Sequence, residues 1–375
     1  MASVRKRTWK TGDVTKTAWV ADYFDQTGKR RQKTFPTRKE ADQWLVEARH
    51  EVAAGIHAPA SASITVAEAA DLWLAQCEVD QLERSTVAFY RQHVTHIVSL
   101  IGHIRLADLT PSRIPAFRNE LIATGRSHIL ARKIMVSLGT LLGYAKSIGK
   151  VARNVVREQP RRRRNDGRHK RLLQVGVDIP SKDELRAMLG AADGWFRPIF
   201  VLAVFTGMRA SELRGLTWAD VDLGRQPEVT VRRRADQYGA IGSPKSAAGN
   251  RTIPLAPAAA NTLREWRLNH PGDGLCFPAG AGQPRAINTL HTSGLAPLQR
   301  AAGLMGPGRK PKYGMHAFRH AAASLFIEQG FSPKRVQALM GHSTIQMTFD
   351  TYGHLFPAPE DDQVAMQQLQ ARLIG

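Results

Sequence analysis

Cysteine is nearly absent: Cys77 and Cys276 are the only two in 375 residues, and they stand far apart with no CxxC spacing. That excludes a disulfide-stapled scaffold and a thiolate zinc module, and it fits two reduced thiols in an intracellular compartment. Long apolar runs are missing as well. The longest, Ile199 to Phe205, is far short of the roughly 20 residues that cross a bilayer. The basic start, Met1 to Lys10, has no apolar segment behind it and does not read as a signal peptide. The expectation is a soluble cytoplasmic chain without a membrane partner. No GxxxxGK[ST] loop surrounds any lysine, which removes the commonest nucleotide-phosphate cradle. Acidic residues are scarce: 32 Asp and Glu face 53 Lys and Arg, a formal charge of +21. A cytosolic chain this basic binds polyanions, and nucleic acid is the most abundant of them. Arginine outnumbers lysine, which suits planar, two-point recognition of phosphate.

What is present has an order. Residues 1–57 read as a small α+β domain, a three-stranded sheet plus one helix. Ala18 to Phe24 is rich in strand formers, Asp25-Gln26-Thr27-Gly28 is a turn signal, and Lys29 to Phe35 returns as the paired strand. Ala41, Trp44, Leu45, Ala48 and Val52 then recur at helical spacing. Lys29, Arg30, Arg31 and Lys33 make the returning strand a candidate DNA contact; the competing reading is charge that merely solvates an edge strand. A Pro/Ala/Ser stretch follows. Thr65-Val66-Ala67-Glu68 then matches a capping box and opens an all-α domain over 64–158, with helical patterns near 65–78, 85–100, 111–124 and 127–148. Thr110-Pro111 is the start signal of the third. Residues 159–178 form a basic, apolar-poor linker whose Arg161, Arg162, Arg163 and Arg164 are suited to a phosphate backbone. Ser181-Lys182-Asp183-Glu184 is a second capping box and opens the last domain, 179–375, mainly helical with strand-like segments at 228–234 and 252–255. The fold class expected is thus multidomain and mainly α.

Chemistry concentrates in this last domain. Thr206-Gly207-Met208-Arg209-Ala210-Ser211-Glu212-Leu213 follows the apolar run; Ser243-Pro244-Lys245 and Arg251-Thr252-Ile253-Pro254-Leu255 come next. His316-Ala317-Phe318-Arg319-His320 opens a helix, Gly341-His342-Ser343 follows one, and Tyr352 precedes Gly353-His354. Two guanidiniums, Arg209 and Arg319, would clamp the non-bridging oxygens of a phosphodiester and answer the charge that builds up on attack. Arg209 sits beside apolar sequence where an unpaired charge is costly, so a partner is expected, and Glu212 lies one helical turn on. Tyr352 offers a phenol that cationic neighbours would make a better nucleophile. An isolated tyrosine is more often a packing residue, but this one stands downstream of two phosphate-suited motifs. His316 and His342 suit hydrogen bonding to phosphate and proton transfer. His316 and His320, four apart, could instead face a zinc ion, yet the glutamate of HExxH is missing and Arg319 adds a repelling cation. His320 therefore reads as a supporting or packing residue.

In this order the motifs resemble the signature of the tyrosine recombinases, the phage integrases and their relatives, most closely over about 180–356. The resemblance implies covalent catalysis through a 3′-phosphotyrosyl link at Tyr352, a Holliday-junction intermediate, and a homotetramer on two DNA sites. It gives Lys245, read as the tip of a β-hairpin, the role of general acid for the departing 5′ oxygen. It makes 64–158 a core-binding domain and 1–57, by shape and composition, an arm-binding domain, favouring an integrase of phage or mobile-element DNA. A chromosome-dimer resolvase of the same family is the nearest alternative; a DNA-binding protein without catalysis is the alternative of another class. No cofactor or metal is expected, because the phosphotyrosine conserves the bond energy and two arginines stabilise the charge. A directionality factor and a DNA-bending host protein are further expected partners, at the bacterial nucleoid. The tail, 357–375, carries Val364, Met366, Leu369 and Leu373 on a polar background, a helix that docks on its own domain or on a neighbouring subunit.

Overall fold

The computed structural model describes residues 2–12, 14–25, 28–53, 63–159, 172–356 and 362–374. The chain divides into two compact units, 1–164 and 165–375. Arg161 to Arg164, the 54–62 stretch and the centre of the Asp25–Gly28 turn lie outside the described residues.

The first unit opens with an antiparallel sheet in the order β1 (Ser3–Thr11), β2 (Val14–Phe24), β3 (Arg30–Phe35). Helix α1 (Arg38–Ala53) covers one face, burying Ala41, Leu45 and Ala48 near Ala21 and Tyr23. Trp44 stands edge-on to Tyr23 at 5.2 Å. Alternation along the strands, fixed by the pairings Arg5 with Val20 and Val20 with Thr34, puts Arg5, Arg7, Trp9 and Arg30 on the opposite face. Four helices follow: α2 (Val66–Val79), α3 (Arg84–Ile101), α4 (Arg113–Ala123) and α5 (His128–Ser147). The capping box forms as expected, with Thr65 and Glu68 satisfying each other's backbone N–H. Helix α4 begins two residues beyond Pro111, because 111–112 form a turn. Phe117, Ile97, Leu138 and Leu141 build a core separate from that of the sheet, and the buried polar pair His93 Nδ1 with Ser137 Oγ is closed at 2.8 Å.

The second unit is held by one large core around α7. Helix α6 (Lys182–Ala191) starts at the Ser181–Glu184 capping box, and α7 (Phe196–Thr206) is buried on nearly every side, as its apolar run requires. The short α8 (Ala210–Arg214) leads to a sheet in the order β4 (Val221–Asp222), β5 (Glu228–Val231), β8 (Arg251–Pro254). The expected strand over 228–234 breaks after Val231. Arg232 and Arg233 turn out to the buried carboxylate of Asp220, and the chain makes a second hairpin, β6 (Arg234–Ala235) and β7 (Ile241–Gly242), before returning as β8. After α9 (Pro257–Asn269), helix α10 (Ile287–Thr289) runs through a π-helical stretch, Leu290–Leu295, into α11 (Ala296–Ala301). Gly294 lies in that stretch with Phe196 so close that a Cβ would meet its ring at 2.4 Å. Helices α12 (Met315–Glu328), α13 (Pro333–Met340) and α14 (Ile345–Tyr352) complete the unit, with α15 (Asp362–Ile374) as the tail helix.

Candidate active site

The site is assembled where three helix ends meet. Apolar α7 stops at Gly207, whose left-handed backbone (φ 64°) caps the helix. A Cβ there would also lie 2.9 Å from Met340 Sδ, which would have to move aside. Two residues later Arg209 takes the N-cap position of α8. The α13 terminus repeats the device: Gly341 has φ 62°, and its Cβ position is 3.0 Å from Ala248 O and from Arg251 Cδ.

Glu212 is the hub. Its carboxylate, buried to 2 % side-chain exposure, accepts from Arg209 N at 2.8 Å and Nη1 at 2.7 Å, and from Arg251 Nη2 at 2.8 Å and Nη1 at 3.2 Å. Burial alone would raise its pKa; the guanidinium of Arg251, with Arg209 behind it, holds it below the usual carboxylate range. The partner expected for Arg209 is therefore Glu212, but Arg251 shares it. Arg251 was legible in the Arg-Thr-Ile-Pro-Leu motif and carried no assigned role; an arginine inside an alternating strand is the signal that could have given it one. Arg251 Nε also donates to Leu339 O at 2.7 Å. Of the two arginines on this carboxylate only Arg209 opens to solvent, with 36 % of its side chain accessible against 5 % for Arg251.

Arg319, on α12, is buried and donates to Gly207 O at 2.7 Å and to Met340 O. Burial and the neighbouring Arg209 push its pKa down, with Glu212 opposing; a guanidinium stays charged regardless. Arg209 Nη2 reaches Gly341 O at 3.4 Å. Carbonyls at the ends of α7 and α13 thus orient both phosphate-suited arginines, at the negative pole of each helix.

Tyr352, the last residue of α14, is 1 % exposed and its hydroxyl lies 2.8 Å from His320 Nδ1. Burial pushes the phenol up to about 12, while Arg319 and Arg209 pull it back down, so both charges act on the nucleophile candidate. His320, read from sequence as a supporting or packing residue, is in direct contact with the phenol. Burial lowers its pKa, with Arg319 adding to the effect, so near neutral pH the imidazole is uncharged and Nδ1 can accept. His316 stands edge-to-face with His320 at 4.7 Å between centroids. His342 stacks over Tyr352 at 6.2 Å and bonds Thr348 Oγ1 through Nδ1 at 2.9 Å.

Lys245 departs from expectation. The hairpin tip is Asp236–Ala240, closed by Asp236 N to Ala240 O at 2.9 Å with Gly239 at φ 87°. Lys245 lies beyond β7, exposed, in the segment leading to β8. The turn residues of 236–240 close the hairpin early, and Pro244, with no N–H for a ladder, precedes Lys245 outside it. The four basic residues assigned to the returning strand also divide: Arg30 and Arg31 pair with Asp22 and Asp25, Lys33 lies over the Trp44 ring at 5.0 Å, and Lys29 precedes β3 and is exposed.

Burial and three cations, Arg319, Arg209 and Arg251, followed by His316, push His342 down to about 4. A histidine that resists protonation when folded but takes a proton near its ordinary value when unfolded removes stability as pH falls. The window runs from about 6.5 to 4 and is worth roughly 3 kcal/mol. Glu212, held below its usual range, keeps its own contribution until pH falls lower still. The urea midpoint should therefore drop between pH 7 and pH 5, and His342→Gln should flatten that slope; an unchanged slope in the variant would assign the effect elsewhere.

Comparison with known proteins agrees with the geometry. Residues 181–358 match the phage integrase family. A XerC-like tyrosine recombinase of Caldanaerobacter subterraneus is 25 % identical over 373 residues, covering 91 % of this chain and 92 % of the relative. The prophage integrase IntR of Escherichia coli is 28 % identical over 306 residues, covering 73 % and 70 %. Among solved structures, the integrase of the transposon Tn1549, bound to a circular intermediate DNA, superposes with a TM-score of 0.64 at 19 % identity. It covers 82 % of this chain and all of that one. With that fold around a buried tyrosine and two carbonyl-anchored arginines, residues 181–358 carry a phage integrase family domain, and the chain as a whole is similar to the tyrosine recombinases.

Proposed function

We propose that this protein is a site-specific DNA recombinase that integrates and excises phage or mobile-element DNA through a phosphotyrosine at Tyr352. The observation that carries it is the Tyr352 hydroxyl, 2.8 Å from a ring nitrogen of His320, in a pocket where Arg319 and Arg209 both act on the phenol. In the proposed cycle Tyr352 Oη attacks the scissile phosphorus as its proton passes to His320 Nδ1. The bond to the 5′ oxygen breaks, and Lys245 supplies the proton that oxygen needs. Arg209 and Arg319 neutralise the non-bridging oxygens, with donors already oriented by carbonyls and by Glu212. His316 and His342, uncharged near neutral pH, each offer an N–H to the same oxygens. A 5′ hydroxyl from the partner duplex reverses these steps and joins the new strand.

Core-site binding is assigned to the helical 64–158 domain and arm-site binding to 1–57. The sheet face bearing Arg5, Arg7 and Arg30, with Trp9 exposed among them, presents charge and an aromatic surface to DNA. Linker arginines 161–164 add phosphate contacts, and a directionality factor and a bending protein complete the assembly at the nucleoid. The tail helix α15 leaves Met366, Leu369 and Leu373 exposed, a face available to a second copy in a tetramer. A chromosome-dimer resolvase of the same family is the second reading. The extra N-terminal sheet favours the integrase.

Nicked attachment-site DNA, mapped from the junctions of an integrated element, tests the function. An SDS-stable adduct that forms only on that site is expected. Relaxation of supercoils without a site would indicate a topoisomerase, and a gel shift without adduct a non-catalytic binder. Deleting residues 1–57 should abolish arm-site gel shifts and leave core-site cleavage; arm binding that survives the deletion removes the domain assignment.

A further inference from the structure

Five residues after Arg209, at the other end of α8, Arg214 is buried and points away from the Glu212 hub. Its guanidinium donates to three backbone carbonyls: Asp236 O at 2.9 Å and Ala235 O at 3.3 Å through Nη1, and Arg285 O through Nε. Two of these carbonyls lie where β6 enters its turn. The turn is itself closed by the Asp236 carboxylate, which accepts from Tyr238 N at 2.8 Å and Ala240 N at 2.9 Å. The next residue, Gly215, abuts the same strand so closely that a Cβ would meet Arg234 C at 2.7 Å and Ala235 N at 2.8 Å. Beyond β7 this hairpin leads directly into the segment that carries Lys245. A cation buried this deeply is costly unless its donors are used, and here Nη1 is spent on a two-stranded hairpin too short to hold its own orientation while Nε anchors the group to Arg285 O.

We propose that Arg214 is a positioning residue for strand cleavage: it fixes the root of the β6–β7 hairpin and thereby delivers Lys245 to the departing 5′ oxygen. The inference rests on the assignment of Lys245 as general acid. In that step the Tyr352 Oη–phosphorus bond forms, the phosphorus–O5′ bond breaks, and a proton moves from Lys245 Nζ to O5′. If the leaving atom is sulfur, the thiolate departs without a proton, since a thiol has a pKa of about 8.5. A defect in proton delivery disappears on that substrate, whereas a defect in the phosphate clamp or the nucleophile remains.

The experiment compares single-turnover cleavage of attachment-site DNA carrying an ordinary or a 5′-bridging phosphorothiolate linkage at the scissile position. Lys245→Ala should lose about 10²-fold or more on oxygen and recover on sulfur. Arg214→Gln should lose roughly tenfold to 10²-fold on oxygen, through misplacement alone, recover on sulfur, and bind the site as wild type does in a gel shift. Arg214→Lys, which keeps a buried donor for the same carbonyls, should fall between and recover in the same way; it carries the test if the glutamine variant fails to fold. Failure of Lys245→Ala to recover on sulfur would overturn the general-acid assignment, and the proposal with it. Recovery of Lys245→Ala but not of the Arg214 variants, or full activity of those variants on oxygen, overturns the role of Arg214 alone.

Discussion

Tyr352→Phe should yield no covalent adduct on suicide DNA at any time, while its gel shift on the same site matches wild type. The substitution removes one oxygen atom. That oxygen is the only group proposed to attack phosphorus, so the loss is total rather than graded. Binding should be unaffected because the phenol is buried and presents nothing to DNA. Stability should move little. The variant forfeits the bond to His320, about 1 kcal/mol, but no longer has to bury a phenolic hydroxyl. An adduct at the wild-type level would end the tyrosine assignment, and a lost gel shift would mean that the ring does more than fill its cluster with Ala323, Ile327 and Met340.

Glu212→Gln is expected to be the most destabilising single change near the site. One carboxylate neutralises Arg209 and Arg251, and Arg251 is almost wholly enclosed. A carboxamide offers one acceptor oxygen and turns an NH2 toward a guanidinium, leaving a buried cation without its counter-charge. Breaking a buried pair in this way costs about 3–5 kcal/mol. Cleavage should fall by about 10²-fold or more as Arg209 loses the bonds that aim it. Glu212→Leu combined with Arg251→Met removes both buried charges and should recover much of the stability without recovering cleavage. Urea unfolding and adduct kinetics on the three proteins check this; recovery of both properties together would mean that the pair acts through stability alone.

Much of this was legible beforehand, for identifiable reasons. Capping boxes at Thr65 and Ser181 are local, needing only a hydroxyl and a glutamate three residues apart, and both formed. The apolar run of α7 had to be buried, and Arg209 just after it had to find a partner, which is Glu212. The features that escaped depend on distant chain. His320 meets Tyr352 across 32 residues, and Arg251 reaches Glu212 across 39; nothing in either local segment announces its partner. Lys245 was misplaced because two strand-like segments read as one hairpin, when Asp220 draws off Arg232 and Arg233 and a second, smaller hairpin intervenes. On β3 the basic residues are real, but opposite charges on the neighbouring strand and its turn engage Arg30 and Arg31, a pairing that a one-dimensional charge count misses.

The enclosure of Tyr352 also bears on safety. An enzyme able to cut chromosomal DNA does harm whenever its blade is drawn away from the intended sequence. With the proposed nucleophile buried against α12 and α13 and its hydroxyl tethered to an imidazole, random encounters with duplex meet a sheathed reagent. Whatever opens the contact between Tyr352 and His320, whether cognate DNA or an adjoining protomer, decides where scission is permitted.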